Sequence, residues 1–209
     1  MNKFMKLMPI SILILFLTGF ANRTHAQTDY VINNDDTKIM GDVKSHNVDK
    51  VKFIPAGEKK AQKFNAQQIK EAYKAGHGIF RSVAVAEGKN PSFLQVLEDG
   101  KIKLYEYFKS STMYGAPVGG YGGGAVFGAT YSSTKKKWYA QKDGGEVIEV
   151  KSNGIWGSRK NRKDNFLNMI KDNMHVAERY EKADKFSFDF VHSLIEEYNS
   201  LIVKERSEK

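Results

Sequence analysis

The stretch FLQVLEDGKIKLYEYF, Phe93–Phe108, decides the fold. Two runs of alternating character flank Asp99-Gly100, a pair that tolerates positive φ and matches the twist of a two-residue hairpin turn. Glu98 and Lys101 flank that turn and are placed to pair across it. Alternation puts Ile102 and Leu104 on one face of the second strand and Tyr105 and Tyr107 on the other.

Hairpin signals recur on both sides. Upstream, DYVIN, the turn cluster Asn34-Asp35-Asp36 and TKIMGDVKSH read as two strands. KVKFIP alternates, with Val51 and Phe53 on one face, and ends at Pro55-Ala56-Gly57. Asn65 and Gln68 have the spacing of a capping box. Ile69, Ala72 and Tyr73 then predict a short helix that ends at Gly76 in a left-handed conformation. GIFRSVAVA follows as a strand. Downstream, KKKWYAQ, the turn Lys142-Asp143-Gly144-Gly145 and EVIEVK predict another hairpin.

After Ser152 the pattern changes. SNGIWGSRKNRKDN reads as a polar, basic connector. Phe166, Leu167, Met169 and Ile170 predict one helix, and Val176, Ala177 and Tyr180 a second. Phe190, Val191, Leu194, Ile195, Tyr198, Leu201 and Ile202 predict a third and longest, capped by Asp184 or Ser187. Strands first and helices last make the class α+β. The expected architecture is an antiparallel β-rich body of hairpins over residues 27–152, with a helical C-terminal region over 153–209.

Residues 1–26 read as a signal peptide. Lys3 and Lys6 form a basic start, and Ile10–Ala21 is an apolar core of about twelve residues, short of the ~20 needed to span a bilayer. Cleavage is expected after Thr24-His25-Ala26, with Gly19-Phe20-Ala21 as the alternative. The formal charge is +9; Lys3, Lys6 and Arg23 lie in this leader with no acidic residue, which leaves +6 for residues 27–209. A moderate basic excess suits a soluble protein or an anionic surface. No nucleic-acid motif is present. The chain has no cysteine. Thiol catalysis, thiolate metal ligation, disulfides and cysteine lipidation are therefore all excluded.

The segment MYGAPVGGYGGGAVFGATY, Met113–Tyr131, holds seven glycines and no charge. A phosphate loop would require Lys and Ser or Thr after its last glycine, but Ala125 and Val126 follow Gly124. A dinucleotide loop would require a following helix, and AVFGATYSST favours a strand. Ala116, Gly120, Gly124 and Gly128 recur four apart, as in close-packed membrane helices, but Pro117 and the glycines oppose helix formation. The segment reads as a mobile hairpin tip. Tyr114, Tyr121, Phe127 and Tyr131 would supply adhesive area if it contacts a partner, a glycan or a membrane. Lys135, Lys136, Lys137 and Trp138 are the neighbouring candidates for an anionic surface. The basic run Ser158–Lys163 reads as a solvated linker.

Polar candidates are sparse. His175 and Glu178 lie three apart. Asp189, His192 and Glu196 share one side of the last helix, opposite its apolar stripe, and read as a solvated face rather than a metal site. His77 reads as an unpartnered loop residue. No nucleophile elbow or H-E-x-x-H motif occurs, so no catalytic residue, metal or cofactor is expected.

VINNDDTKIMGDVK, KVKFIP, FLQVLEDGKIKLYEYF, WYAQ and LIEEYN together resemble a family of exported β-rich proteins from Bacteroidota that has no assigned activity. Some relatives join a similar front end to an outer-membrane barrel, for which this chain lacks the run of strands. The resemblance implies a periplasmic or outer-membrane-associated location and no catalytic residue. The expected function is an exported, non-catalytic envelope protein with a binding or structural role, its partner a protein or glycan. The alternatives are a peripheral membrane-associating protein and, third, a hydrolase of an envelope polymer.

Overall fold

The computed structural model describes residues 28–86, 88–114, 118–119, 125–126, 130–154 and 158–207. The fold is α+β. Ten antiparallel strands form one sheet and three helices follow. The strands are β1 (Tyr30–Asn33), β2 (Lys38–His46), β3 (Lys50–Pro55), β4 (Gln62–Asn65), β5 (Ile69–Lys74), β6 (Gly78–Val83), β7 (Ser92–Asp99), β8 (Ile102–Tyr114), β11 (Thr130–Lys142) and β12 (Val147–Ser152). A separate two-stranded pair comprises β9 (Val118–Gly119) and β10 (Ala125–Val126). The order in the large sheet is β12-β11-β8-β7-β6-β5-β1-β2-β3-β4. The helices are α1 (Arg159–Ile170), α2 (Met174–Glu181) and α3 (Phe188–Ser207).

Two large cores follow from this order. At the C-terminal end of the sheet, α1 packs on β12 and α3 on β8. Ile102, Leu104, Trp138, Ala140 and Val150 meet Phe166, Ile170, Leu194, Ile195 and Tyr198 there. Among the described residues, no helix covers the other half. Val31, Val43, Val51, Phe53, Ile69, Ala72, Phe80 and Phe93 bury one another, because the sheet coils. The coil brings the β2–β3 turn onto β7, where Phe93 N–H donates to Val48 O at 2.9 Å. Gly41 allows close packing within this half: a Cβ there would overlap the Phe53 ring and the Ile54 carbonyl. A smaller cluster, Val83, Leu94, Tyr105 and Tyr139, lies apart from the helix-covered core.

The helix expected after Asn65 is a strand. Asn65 N–H does donate to Gln68 Oε1 at 2.9 Å, but these residues close the β4–β5 turn. Ile69 and Ala72 share a buried side at a spacing of three because β5 carries an extra residue, with Ile32 opposite Glu71 and Asn33 opposite Ile69. This β-bulge imitates helical periodicity. Gly76 does adopt positive φ, +75°, but in the β5–β6 turn.

The β7–β8 turn also differs in mechanism. Gly100 is not among the positive-φ glycines. Its lack of a side chain is needed because a Cβ would overlap the Asn199 amide. Glu98 pairs with His192 of α3 rather than with Lys101. The β11–β12 turn is as expected, with positive φ at Asp143 (50°) and Gly144 (73°). The basic connector is half helix: Ser158 caps α1, its hydroxyl accepting from Asn161 N–H at 3.1 Å. Ser187, not Asp184, caps α3, accepting from Phe190 N–H at 3.1 Å.

Candidate functional site

Alternation along β8 places Ile102, Leu104, Glu106 and Phe108 on one face. The helices cover Ile102 and Leu104. Beyond them the same face opens into a groove of about 470 Å³, bounded on the far side by the β2–β3 turn. Phe80 and Phe93 are buried at its base, whereas Phe108 is 51% exposed at the rim.

The wall opposite Phe108 is built by Asn47. Its Oδ1 accepts from the N–H groups of Asp49 and Lys50, each at 2.9 Å. This side-chain-closed turn projects Val48 and Asp49 over the groove. Lys109 Nζ reaches Asp49 Oδ2 at 3.2 Å and so ties the two rims together. Gln95 and Glu106 are cross-strand neighbours within the groove. Glu106 Oε2 accepts from Trp138 Nε1 at 2.8 Å and lies 2.6 Å from Lys136 Nζ. His46 completes the end wall. Its ring lies 3.9 Å from that of Phe80 and 5.4 Å from that of His77. Burial, reinforced by His77 and Lys74, lowers the His46 imidazole below its ordinary pKa.

A second cavity, of about 340 Å³, is bordered by Glu71, Arg81, Asp36 and Lys70. Its charges are internally matched. Arg81 pairs with Glu71 at 2.9 Å and with Asp99 at 3.0 Å, and Lys70 pairs with Asp36 at 2.6 Å. The groove combines aromatic surface with hydrogen-bonding side chains, and it is the stronger candidate.

The residues expected to make contacts are dispersed. Tyr121 and Phe127 lie outside the described residues. Tyr114 and Tyr131 occupy paired strand ends, with Thr130 opposite Tyr114 and Tyr131 opposite Met113. The strands therefore run into the glycine-rich segment from both sides. Lys135 is exposed. Lys136 pairs with Glu106 and lies 5.0 Å from the centre of the Phe188 ring, while Lys137 pairs with Glu149. Trp138 is 4% exposed and packs edge-on to Phe188, so its indole is committed to the core instead of an outer surface.

The histidines also find different neighbours. His175 contacts Glu197 at 2.9 Å instead of Glu178, which pairs with Lys182. His77, expected to be unpartnered, meets His46. His192 turns toward the sheet and contacts Glu98 at 2.8 Å. Asp189 is not part of that contact.

Sequence reasoning missed the groove because its walls come from β2, β6, β7 and β8, and only the coiling of the sheet joins them. One local signal was available: Phe108 continues the buried face of β8 past the helices. In comparisons with known proteins, no family model, no curated protein and no solved structure matches the chain.

Proposed function

We propose that this is an exported, non-catalytic binding protein whose groove takes a short stretch of cell-envelope saccharide. The observation that carries the reading is the pairing of Phe108, an exposed ring on β8, with planar hydrogen-bonding groups on Asn47, Gln95 and Glu106 in the same groove. Sugar rings present apolar C–H faces and in-plane hydroxyls. An aromatic platform beside amide and carboxylate groups complements both features. The volume of about 470 Å³ falls within the ~300–1,000 Å³ of small-ligand sites.

The non-catalytic part of the reading is supported by the acidic groups of the groove. Asp49 and Glu106 are each held by a lysine, Lys109 and Lys136. Both carboxylates are committed to ion pairs, and that of Asp49 ties the groove walls together. Export and an envelope location rest on the leader-like segment Met1–Ala26 and on the family resemblance.

Isothermal titration with neutral oligosaccharides such as chitotetraose and cellotetraose tests the reading. At least one should bind the purified chain, and Phe108→Ala should weaken it about tenfold or more. Absence of heat with every saccharide, or binding indifferent to Phe108→Ala, would contradict it.

A further inference from the structure

We propose that Glu98, His192 and Glu196 form a binding site for a divalent transition-metal ion of the zinc class. The three side chains come from two elements, Glu98 from the end of β7 and the other two from α3, one helical turn apart. One ligand atom from each lies within 4.8 Å of the other two. His192 Nε2 stands 2.8 Å from Glu98 Oε1 and 3.8 Å from Glu196 Oε1. Ligand atoms around a tetrahedral zinc ion are about 3.3–3.6 Å apart, given metal–ligand bonds of about 2.0–2.2 Å. The two separations from the imidazole bracket that range, and the two carboxylate oxygens lie within 4.8 Å of each other.

The backbone aims Glu98 at this point. β7 carries a bulge between Val96 and Glu98, where Val96 faces Tyr105 and Glu98 faces Leu104. The extra residue, Leu97, packs into the helix-covered core. Without the bulge, alternation would not place Leu97 and Glu98 on the same side; with it, Glu98 emerges under α3.

The charge of the cluster fits such an ion. Among the described residues, Glu98 and Glu196 have no lysine or arginine ion-pair partner, and both converge on the imidazole. Two carboxylates and a neutral imidazole give a site of charge −2, matched to a divalent ion. The side chains of Glu98 and His192 are 23% and 33% exposed, and that of Glu196 is 58% exposed. The ion would thus be held from the protein side, with water completing its coordination. The Trp138 ring lies 5.8 Å from the His192 ring, edge-on, and the same indole donates to Glu106 in the groove. The ion would fasten α3 to β7 directly behind the groove wall.

Equilibrium dialysis of the chelator-treated chain against zinc chloride tests this, with melting temperature read in parallel. One equivalent should bind and raise the melting temperature. His192→Ala and Glu98→Gln should each weaken binding tenfold or more, while His175→Ala, at the exposed His175–Glu197 pair, should leave it unchanged. Imidazole NMR of the wild-type chain guards against variants that fail to fold: zinc should shift the His192 ring resonances before those of His46, His77 and His175. No bound zinc, binding undiminished in His192→Ala, or an unmoved His192 ring would overturn the proposal and leave an ion pair only.

Discussion

Asn199 of α3 closes both backbone hydrogen bonds of Ile102. Its Oδ1 accepts from Ile102 N–H at 2.9 Å, and its Nδ2 donates to Ile102 O at 2.9 Å. The amide stands in for a strand partner just past the β7–β8 turn, and Gly100 leaves the room it needs. Asn199→Ala strands a donor and an acceptor and should cost about 2–3 kcal/mol. Gly100→Ala should also destabilise, but much less in the Asn199→Ala background. Urea denaturation of the two single variants and the double variant checks this. Simple additivity would show that the close approach does not matter.

Phe108 should matter for binding and little for folding. Half of its surface is already in water, so Phe108→Ala should change stability by only ~0.5–1 kcal/mol. Phe93→Ala, at the buried base of the same groove, should cost about 3–5 kcal/mol. Thermal unfolding of the two variants side by side distinguishes rim from core.

His46 gives the groove a pH dependence. Its imidazole titrates below the ordinary value of about 6.5 because burial, His77 and Lys74 disfavour the charged ring. The unfolded chain therefore binds this proton more readily. The contribution to stability is full above about pH 6.5 and is lost as pH falls through the lower folded-state value. Proton NMR should show a His46 midpoint below 6.5. His46→Gln should flatten the stability profile in that window, and a midpoint at or above 6.5 would contradict the buried setting.

Asp99 should contribute to acid unfolding. Hydrogen bonds from Arg81, at 3.0 Å to each carboxylate oxygen, hold the Asp99 carboxyl below its ordinary range against the opposing effect of burial. A lowered folded-state pKa means stability that is present above about pH 4 and lost as pH falls further. Wild type should lose more stability than Asp99→Asn between pH 5 and pH 2.5. Parallel urea midpoints across that range would expose a silent ion pair.

The regular parts of this fold are legible in its sequence. The alternation of KVKFIP and KIKLYEYF, the Asp143-Gly144 turn and the apolar stripe of α3 each follow from local rules, and the structure contains all of them. Failures occurred where an irregularity imitates another element or where the chain closes on itself. The β5 bulge gave Ile69 and Ala72 a helical spacing. The β7 bulge turned Glu98 toward α3, so His192, read from one helix as solvent-facing, meets a carboxylate 94 positions away in sequence. The groove depends on sheet coiling, and no short window of sequence encodes that.

The most direct test of the central claim is amide NMR mapping of the chain with the tightest-binding oligosaccharide. The account predicts saturable shifts at Val48, Gln95 and Phe108, with the paired strand ends near Tyr114 and Tyr131 unmoved. Shifts confined to those strand ends would locate binding at the glycine-rich segment and contradict the groove as the ligand site.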